Sequence, residues 1–187
     1  MKNFKERSLK MRIAIAIDAP NFFGMTNAIS HNIDMEAFMK HIRHGKGNKK
    51  QIVLSYIFFD APRYSVPKNK FLTFLEQKLG FQIIWVPYKS YAPACPAEKS
   101  GKSRTDNYIS VKMTKHLLCN DFDHLILVSG DSDYEPLIHA CQDEGKTVEV
   151  WATAYTLAND IKKIADKVNL FEDHKYLLKQ RRQKSAA

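Results

Sequence analysis

The sequence predicts an α/β fold: a three-layer α/β/α sandwich around a central, mostly parallel sheet of about five or six strands. Three observations carry this reading. Short, β-branched apolar runs alternate with segments whose apolar residues recur at helical spacing. Those runs are predominantly apolar, as suits strands covered on both faces. Glycines and prolines fall at the junctions, and Asp18, Asp60 and Asp131 each follow the end of a run.

Arg12–Asp18 alternates isoleucine with alanine and ends in an acid, which reads as a buried strand. Asp34 is suited to cap a helix over 35–42, where Phe38 and Ile42 follow Ile33 at helical spacing. Gln51–Phe59 is a second strand, followed by Asp60. Lys70–Leu79 carries Phe71, Phe74, Leu75 and Leu79 on one helical face, and Gly80 stops it. Phe81–Val86 is a third strand, and the Pro- and Gly-containing stretch 87–105 is a loop. Asp106 opens a helix to about Cys119, with Ile109, Met113 and Leu117 stacked at i+4. Leu125–Val128 is a strand and 133–144 a helix with Pro136 in its first turn and Gly145 at its end. Thr147–Trp151 is a fifth strand. Thr156–Lys167 reads as a helix, Val168–Phe171 as a short edge strand and Asp173–Arg182 as a terminal helix.

Composition narrows the function classes. The 187 residues suit one domain, and 44% apolar content can build a core. Three scattered cysteines exclude a disulfide framework and argue against a structural zinc site, so a reducing, cytoplasmic setting is expected. No apolar run approaches the roughly 18–20 residues of a membrane span, and no membrane partner is expected. The net charge is +9, but residues 1–12 supply +4 and residues 162–187 supply +5, leaving the middle neutral. That middle is polarised: 13–120 holds fifteen bases and seven acids, whereas 121–161 holds one base and nine acids. Acids facing basic surroundings suit a metal-dependent enzyme acting on a polyanion.

In parallel sheets, sites form beyond the carboxyl ends of the strands at a switch point. Asp18 and Asp131 follow strand ends, and Asp133 lies two residues beyond Asp131. Converging carboxylates repel unless a cation neutralises them, and hard Mg²⁺ or Mn²⁺ suits such oxygen donors. Asp18, Asp106, Asp131 and Asp133 are therefore the candidate catalytic set, the first three as metal ligands. Asn21, Ser129 and Ser132 are candidate hydrogen-bonding support around them, and Gly130 permits a tight turn. Asp106 and Asp133 also suit helix caps. Asp60 reads as a turn residue. Nucleophilic Ser or Cys catalysis and a dinucleotide site find no motif here.

These residues resemble a known family. Ile15-Ala-Ile-Asp18-Ala-Pro-Asn21, then Asp106, then Leu125-Ile-Leu-Val-Ser-Gly-Asp-Ser-Asp-Tyr-Glu-Pro-Leu137 and Gly145-Lys-Thr-Val-Glu-Val150, are similar to the NYN domain, LabA-like branch, of the PIN-like nucleases. The resemblance implies a PIN-like, Rossmann-like sandwich, Mg²⁺ or Mn²⁺ at a carboxylate cluster, and hydrolysis of RNA phosphodiesters. It divides the chain into a basic extension 1–11, the domain at 12–171, and a basic C-terminal helix or tail at 172–187. Carried over by position, Asp18, Asp106, Asp131 and Asp133 match the family's acids. Lys112 stands where the family often has a further acid. It lies about 240° round the helix from Asp106, at roughly 100° per residue, so it need not meet the same ion.

Substrate contacts are expected from bases interleaved with aromatics, which suit a single strand of RNA. Lys89, Tyr91, Lys99, Lys102 and Arg104 of the loop, with Lys112, form this RNA-binding set. Lys40, Arg43, Lys46, Lys49 and Lys50 offer a second backbone contact. The leading expectation is a metal-dependent ribonuclease. The alternative is a catalytically weak or inactive RNA-binding or protein-interaction module on the same fold. A homodimer is left open.

Overall fold

The computed structural model describes residues 10–44, 50–61, 70–87 and 104–181. Lys89, Tyr91, Lys99 and Lys102 of the expected RNA-binding set, and Lys46 and Lys49 of the second basic stretch, lie outside the described residues. In chain order the elements are β1 (Met11–Asp18), α1 (Ala19–Ala28), β2 (His31–Ile33), α2 (Met35–His44), β3 (Lys50–Asp60), α3 (Lys70–Gln77) and β4 (Gln82–Val86). They continue as α4 (Thr105–Leu118), β5 (His124–Val128), α5 (Glu135–Asp143), β6 (Thr147–Ala152), α6 (Asn159–Ile164), β7 (Lys167–Leu170) and β8 (Leu178–Gln180).

Six strands form one sheet in the order β4-β3-β1-β5-β6-β7, every pair parallel. This is the expected α/β class. Right-handed crossovers put α1–α3 on one face and α4–α6 on the other. The packing agrees: Phe23 of α1 meets Phe71 of α3, while α5 packs on both α4 and α6. β1 is central, and Ile13 to Ile17 have no exposed surface. Ile109, Met113 and Leu117 bury one stripe of α4 as their spacing predicts. Phe38, Trp151 and Phe171 form a second aromatic focus, with ring centroids 5.2–5.9 Å apart. The chain reverses after α3 and α5 at Gly80 and Gly145, whose φ values of +77° and +67° favour glycine.

Three departures from the sequence reading have physical causes. Residues 19–28 form α1, which carries no strong amphipathic signal because Pro20, Asn21, Gly24 and Asn27 interrupt it. α6 is shorter than expected. Its upstream residues are spent in a turn against Gly130, where the Ala158 amide donates to the Gly130 carbonyl at 2.8 Å. It ends at Ile164 because Asp166 turns to accept from the Val148 amide at 2.7 Å. The expected terminal helix is not formed over 173–181. Two 3-10 turns (Phe171–Asp173 and Lys175–Leu177) lead instead into β8, which pairs antiparallel with β2. Burial of Leu177 and a 2.6 Å ion pair from Lys179 to Asp34 outweigh local helix preference there.

Candidate active site

The strand order reverses direction between β1 and β5, which is where a parallel sheet opens a crevice at its carboxyl edge. A cleft of about 360 Å³ sits at this edge, lined by Asp18, Pro20, Asn21, Gly24, Thr105, Asp106, Asp131, Asp133 and Thr156. All four predicted acids thus line one cavity, although they come from β1, α4 and the turn after β5.

Asp18 is the innermost, only 5% exposed. It ends β1 in extended backbone and caps α1, its Oδ1 accepting from the Asn21 amide at 3.0 Å. Its Oδ2 accepts from the Tyr134 hydroxyl at 2.8 Å. Burial pushes the Asp18 carboxyl above the usual carboxylate range, and the charges of Asp131 and Asp60 add to that push. The two hydrogen bonds resist it without cancelling it. Burial and the charges of Asp18, Asp106 and Asp131 drive the Tyr134 phenol far above its ordinary range, so it remains a donor to Asp18.

The turn after β5 is built around Asp131. Its Oδ1 accepts from the Asp133 amide at 3.1 Å, while its own amide donates to Ser129 Oγ at 3.3 Å. The cap is therefore Asp131; Asp133 lines the cleft from an exposed position, whereas Ser132, also exposed, is not among the lining residues. Asn21 Oδ1 accepts from the Gly130 amide at 3.3 Å, joining the first turn of α1 to this segment. Ser129 and Asn21 thus each hydrogen-bond to the backbone of the turn that carries Asp131.

Asp106 lies in the first turn of α4, where a carboxylate also meets the helix dipole favourably. It is not the cap; Arg104 holds that position without a side-chain bond. The start of α4 is anchored instead by Thr105, whose hydroxyl donates to Asp60 Oδ1 at 3.0 Å. Asp60 thereby ties the end of β3 to the helix that carries Asp106.

Lys112 does not line the cleft. Its ammonium sits over the Tyr56 ring, 5.0 Å from the centroid. With Arg104, Asn107, Tyr108, Val111 and Lys115 it borders a separate depression of about 400 Å³ on α4. Arg104 lies 5.8 Å over Tyr108. Lys112 thus stands apart from the four acids of the cleft.

The donor set is hard carboxylate oxygen, which fits Mg²⁺ or Mn²⁺ in kind. Mutual repulsion and the raised Asp18 pKa are what a divalent ion would relieve. Among the described residues, however, no three His, Cys, Asp or Glu side chains gather closely enough to hold one ion. Sequence reasoning missed Tyr134, Thr105 and Thr156. Tyr134 had a signal, being a hydroxyl-bearing aromatic directly after the acidic turn. The two threonines had none, since only the fold brings them to the cleft.

A family model, the NYN domain, matches residues 12–171. The chain therefore belongs to the NYN domain family, a family within the PIN-like nuclease superfamily whose nucleases typically depend on divalent metals. The crystal structure of a protein of unknown function from Vibrio parahaemolyticus is similar to it, with a TM-score of 0.71 and 23% sequence identity. That match covers 96% of this chain and 100% of the other, and shows a shared fold. No functionally curated protein matches the sequence. Among the described residues no helix is long and apolar enough to cross a membrane.

Proposed function

We propose that the chain is a Mg²⁺- or Mn²⁺-dependent ribonuclease that hydrolyses phosphodiester bonds of single-stranded RNA. One observation carries the reading: Asp18, Asp106, Asp131 and Asp133 line a single cleft at the switch point of the sheet. Asp18, Asp106 and Asp131 would hold the ion by drawing together around it, since no three acids among the described residues already stand close enough. When bound, it would supply a hard Lewis acid against phosphate oxygens and neutralise the clustered carboxylates. Tyr134 and the Asn21 amide hold Asp18 in orientation. Asp133, exposed at the rim, accepts a proton from the attacking water as its oxygen bonds to phosphorus and the P–O bond to the ribose oxygen breaks, the leaving oxygen taking its proton from solvent. Arg104 and Lys112 bind phosphates away from the chemistry, at the α4 depression. Assignment to the LabA-like branch belongs to the same reading and rests on the Ser129–Leu137 run.

The test is cleavage of a labelled single-stranded RNA under titrated Mn²⁺ and Mg²⁺. Asp131→Asn is expected to lower the rate at least about 100-fold, since removing one charge-stabilising group costs on that order. Cleavage that resists a chelator, or equal activity in the variant, would overturn the assignment. A second reading, an RNA-binding module without catalysis, is favoured by the absence of a close three-ligand group among the described residues. It expects salt-sensitive RNA binding that survives Asp131→Asn, with no product under either metal.

A further inference from the structure

Five large apolar side chains stand well exposed among the described residues: Phe23, Val111, Leu118, Tyr155 and Tyr176. Two of them are neighbours in sequence of residues that line the carboxylate cleft, without lining it themselves. Phe23 lies on α1 between Asn21 and Gly24, which line the cleft, and Tyr155 directly precedes Thr156, which also lines it.

The two rings are held differently. One side of Phe23 packs on Phe22, Phe59 and Phe71, with centroids 5.6–6.4 Å away, yet 41% of the residue remains open to solvent. Tyr155 is 86% exposed, and neither its ring nor its hydroxyl has a partner among the described residues. The backbone beneath it is nevertheless fixed. The Ala154 amide donates to Glu172 Oε1 at 2.9 Å, the Thr156 amide to the Thr153 carbonyl at 3.1 Å, and the hydroxyls of Thr153 and Thr156 lie 2.9 Å apart. A stiff turn thus presents a bare ring, an arrangement with nothing to contribute to the core.

Gly24 is a second, independent observation. It sits inside α1, where glycine is less favourable than alanine by roughly 0.5–1 kcal/mol. A Cβ there would meet nothing within 4 Å, and its φ is not positive, so neither packing nor backbone conformation calls for glycine. What the missing side chain does provide is bare backbone on the wall of the cleft, one residue from Phe23.

We propose that Phe23 and Tyr155 are base-stacking platforms of a single-stranded nucleic-acid path across the carboxylate cleft, with Gly24 admitting the sugar–phosphate backbone. This rests on the nuclease reading above and names the side chains that hold its unpaired strand. Every base offers a π face, so the platforms bind without sequence preference, whereas paired bases in a duplex have no free face to offer.

The test is fluorescence anisotropy of a labelled ten-nucleotide single-stranded RNA against the full chain, with a chelator present to prevent cleavage. Tyr155→Ala and Phe23→Leu are each expected to weaken binding roughly 5- to 150-fold, the range of one lost stacked base. Phe23→Leu keeps apolar bulk in the aromatic cluster, and Tyr155→Phe, which keeps the π face, should bind like the parent. An oligonucleotide made abasic at its central positions should no longer distinguish Tyr155→Ala from the parent chain. Equal affinities of the parent, Tyr155→Ala and Phe23→Leu, or no binding of the single strand by the parent, would overturn the proposal. Absence of cleavage under Mn²⁺ with the Tyr155 dependence intact would sink the hydrolase assignment and leave the stacking path standing.

Discussion

Two glycines beside the cleft differ in what a methyl group would meet. A Cβ on Gly130 would lie 2.2 Å from the Thr156 carbonyl oxygen and 2.9 Å from Leu157 Cα, all backbone that cannot step aside. Gly130→Ala should therefore cost roughly 3 kcal/mol, measured by urea unfolding, and displace the turn that carries Asp131. Gly24→Ala should do the reverse. It is expected to stabilise the chain by roughly 0.5–1 kcal/mol in the same measurement, because its Cβ enters open space within a helix. If the cleft wall at Gly24 serves the strand, that variant should also bind single-stranded RNA more weakly than the parent. At this scale the four acids and Asn21 were legible because each follows a strand end or opens a helix. Tyr134's hold on Asp18 was not, since it joins residues 116 positions apart.

At the scale of elements, three strands are tied by one buried acid. Glu149 on β6, 5% exposed, accepts from Trp151 Nε1 at 2.7 Å, Asn169 Nδ2 at 2.8 Å and Lys167 Nζ at 3.2 Å, with His124 Nε2 3.5 Å away. Burial alone would raise its pKa. The donors from β5, β6 and β7 outweigh burial and bring it to about 2, against an ordinary 4.5. The unfolded chain therefore binds the proton first as pH falls. The stabilisation is present above about pH 4.5 and is lost as pH drops towards 2. It amounts to something on the order of 3 kcal/mol. Urea midpoints of the parent and Glu149→Gln should differ most above pH 4.5 and converge near pH 2. The strands themselves were readable because their runs are mostly apolar and β-branched, even where Glu149 interrupts β6. β2 and β8 were not, since three residues apiece carry no period and their pairing is decided only by contact between distant segments. The C-terminal residues read as helix by propensity, and the buried Leu177 shows which influence prevailed.

For the whole molecule, charge and fold separate at the C-terminus in a way net charge alone could not show. Residues up to Arg181 belong to the folded body. Arg181 reaches Thr26 and Asn27 on α1 at 3.2 and 2.7 Å, and Lys179 pairs with Asp34. A chain cut after Arg181 should unfold at the same urea concentration as the parent, whereas one cut after Tyr176 should lose roughly 3 kcal/mol with Leu177 and the β2–β8 pairing. Removing residues 1–9 and 182–187 together should weaken RNA binding most at low salt while leaving Mn²⁺ binding unchanged. Loss of the metal with those ends would refute this division between polyanion affinity and the carboxylate site.

The central position of β1 has a consequence for how the protein is made. β1 pairs with β3 some 39 residues downstream, at Met11 and Lys50, and with β5 a further distance on, Ile13 opposite His124. At ribosomal speeds of about 5–20 residues per second, that second partner emerges roughly 5–20 s after β1. During that interval an isoleucine-rich strand with no charge between Ile13 and Ile17 waits with one edge unpaired. The strand that organises the finished sheet is thus an aggregation hazard of the nascent chain until β5 emerges to cover that edge.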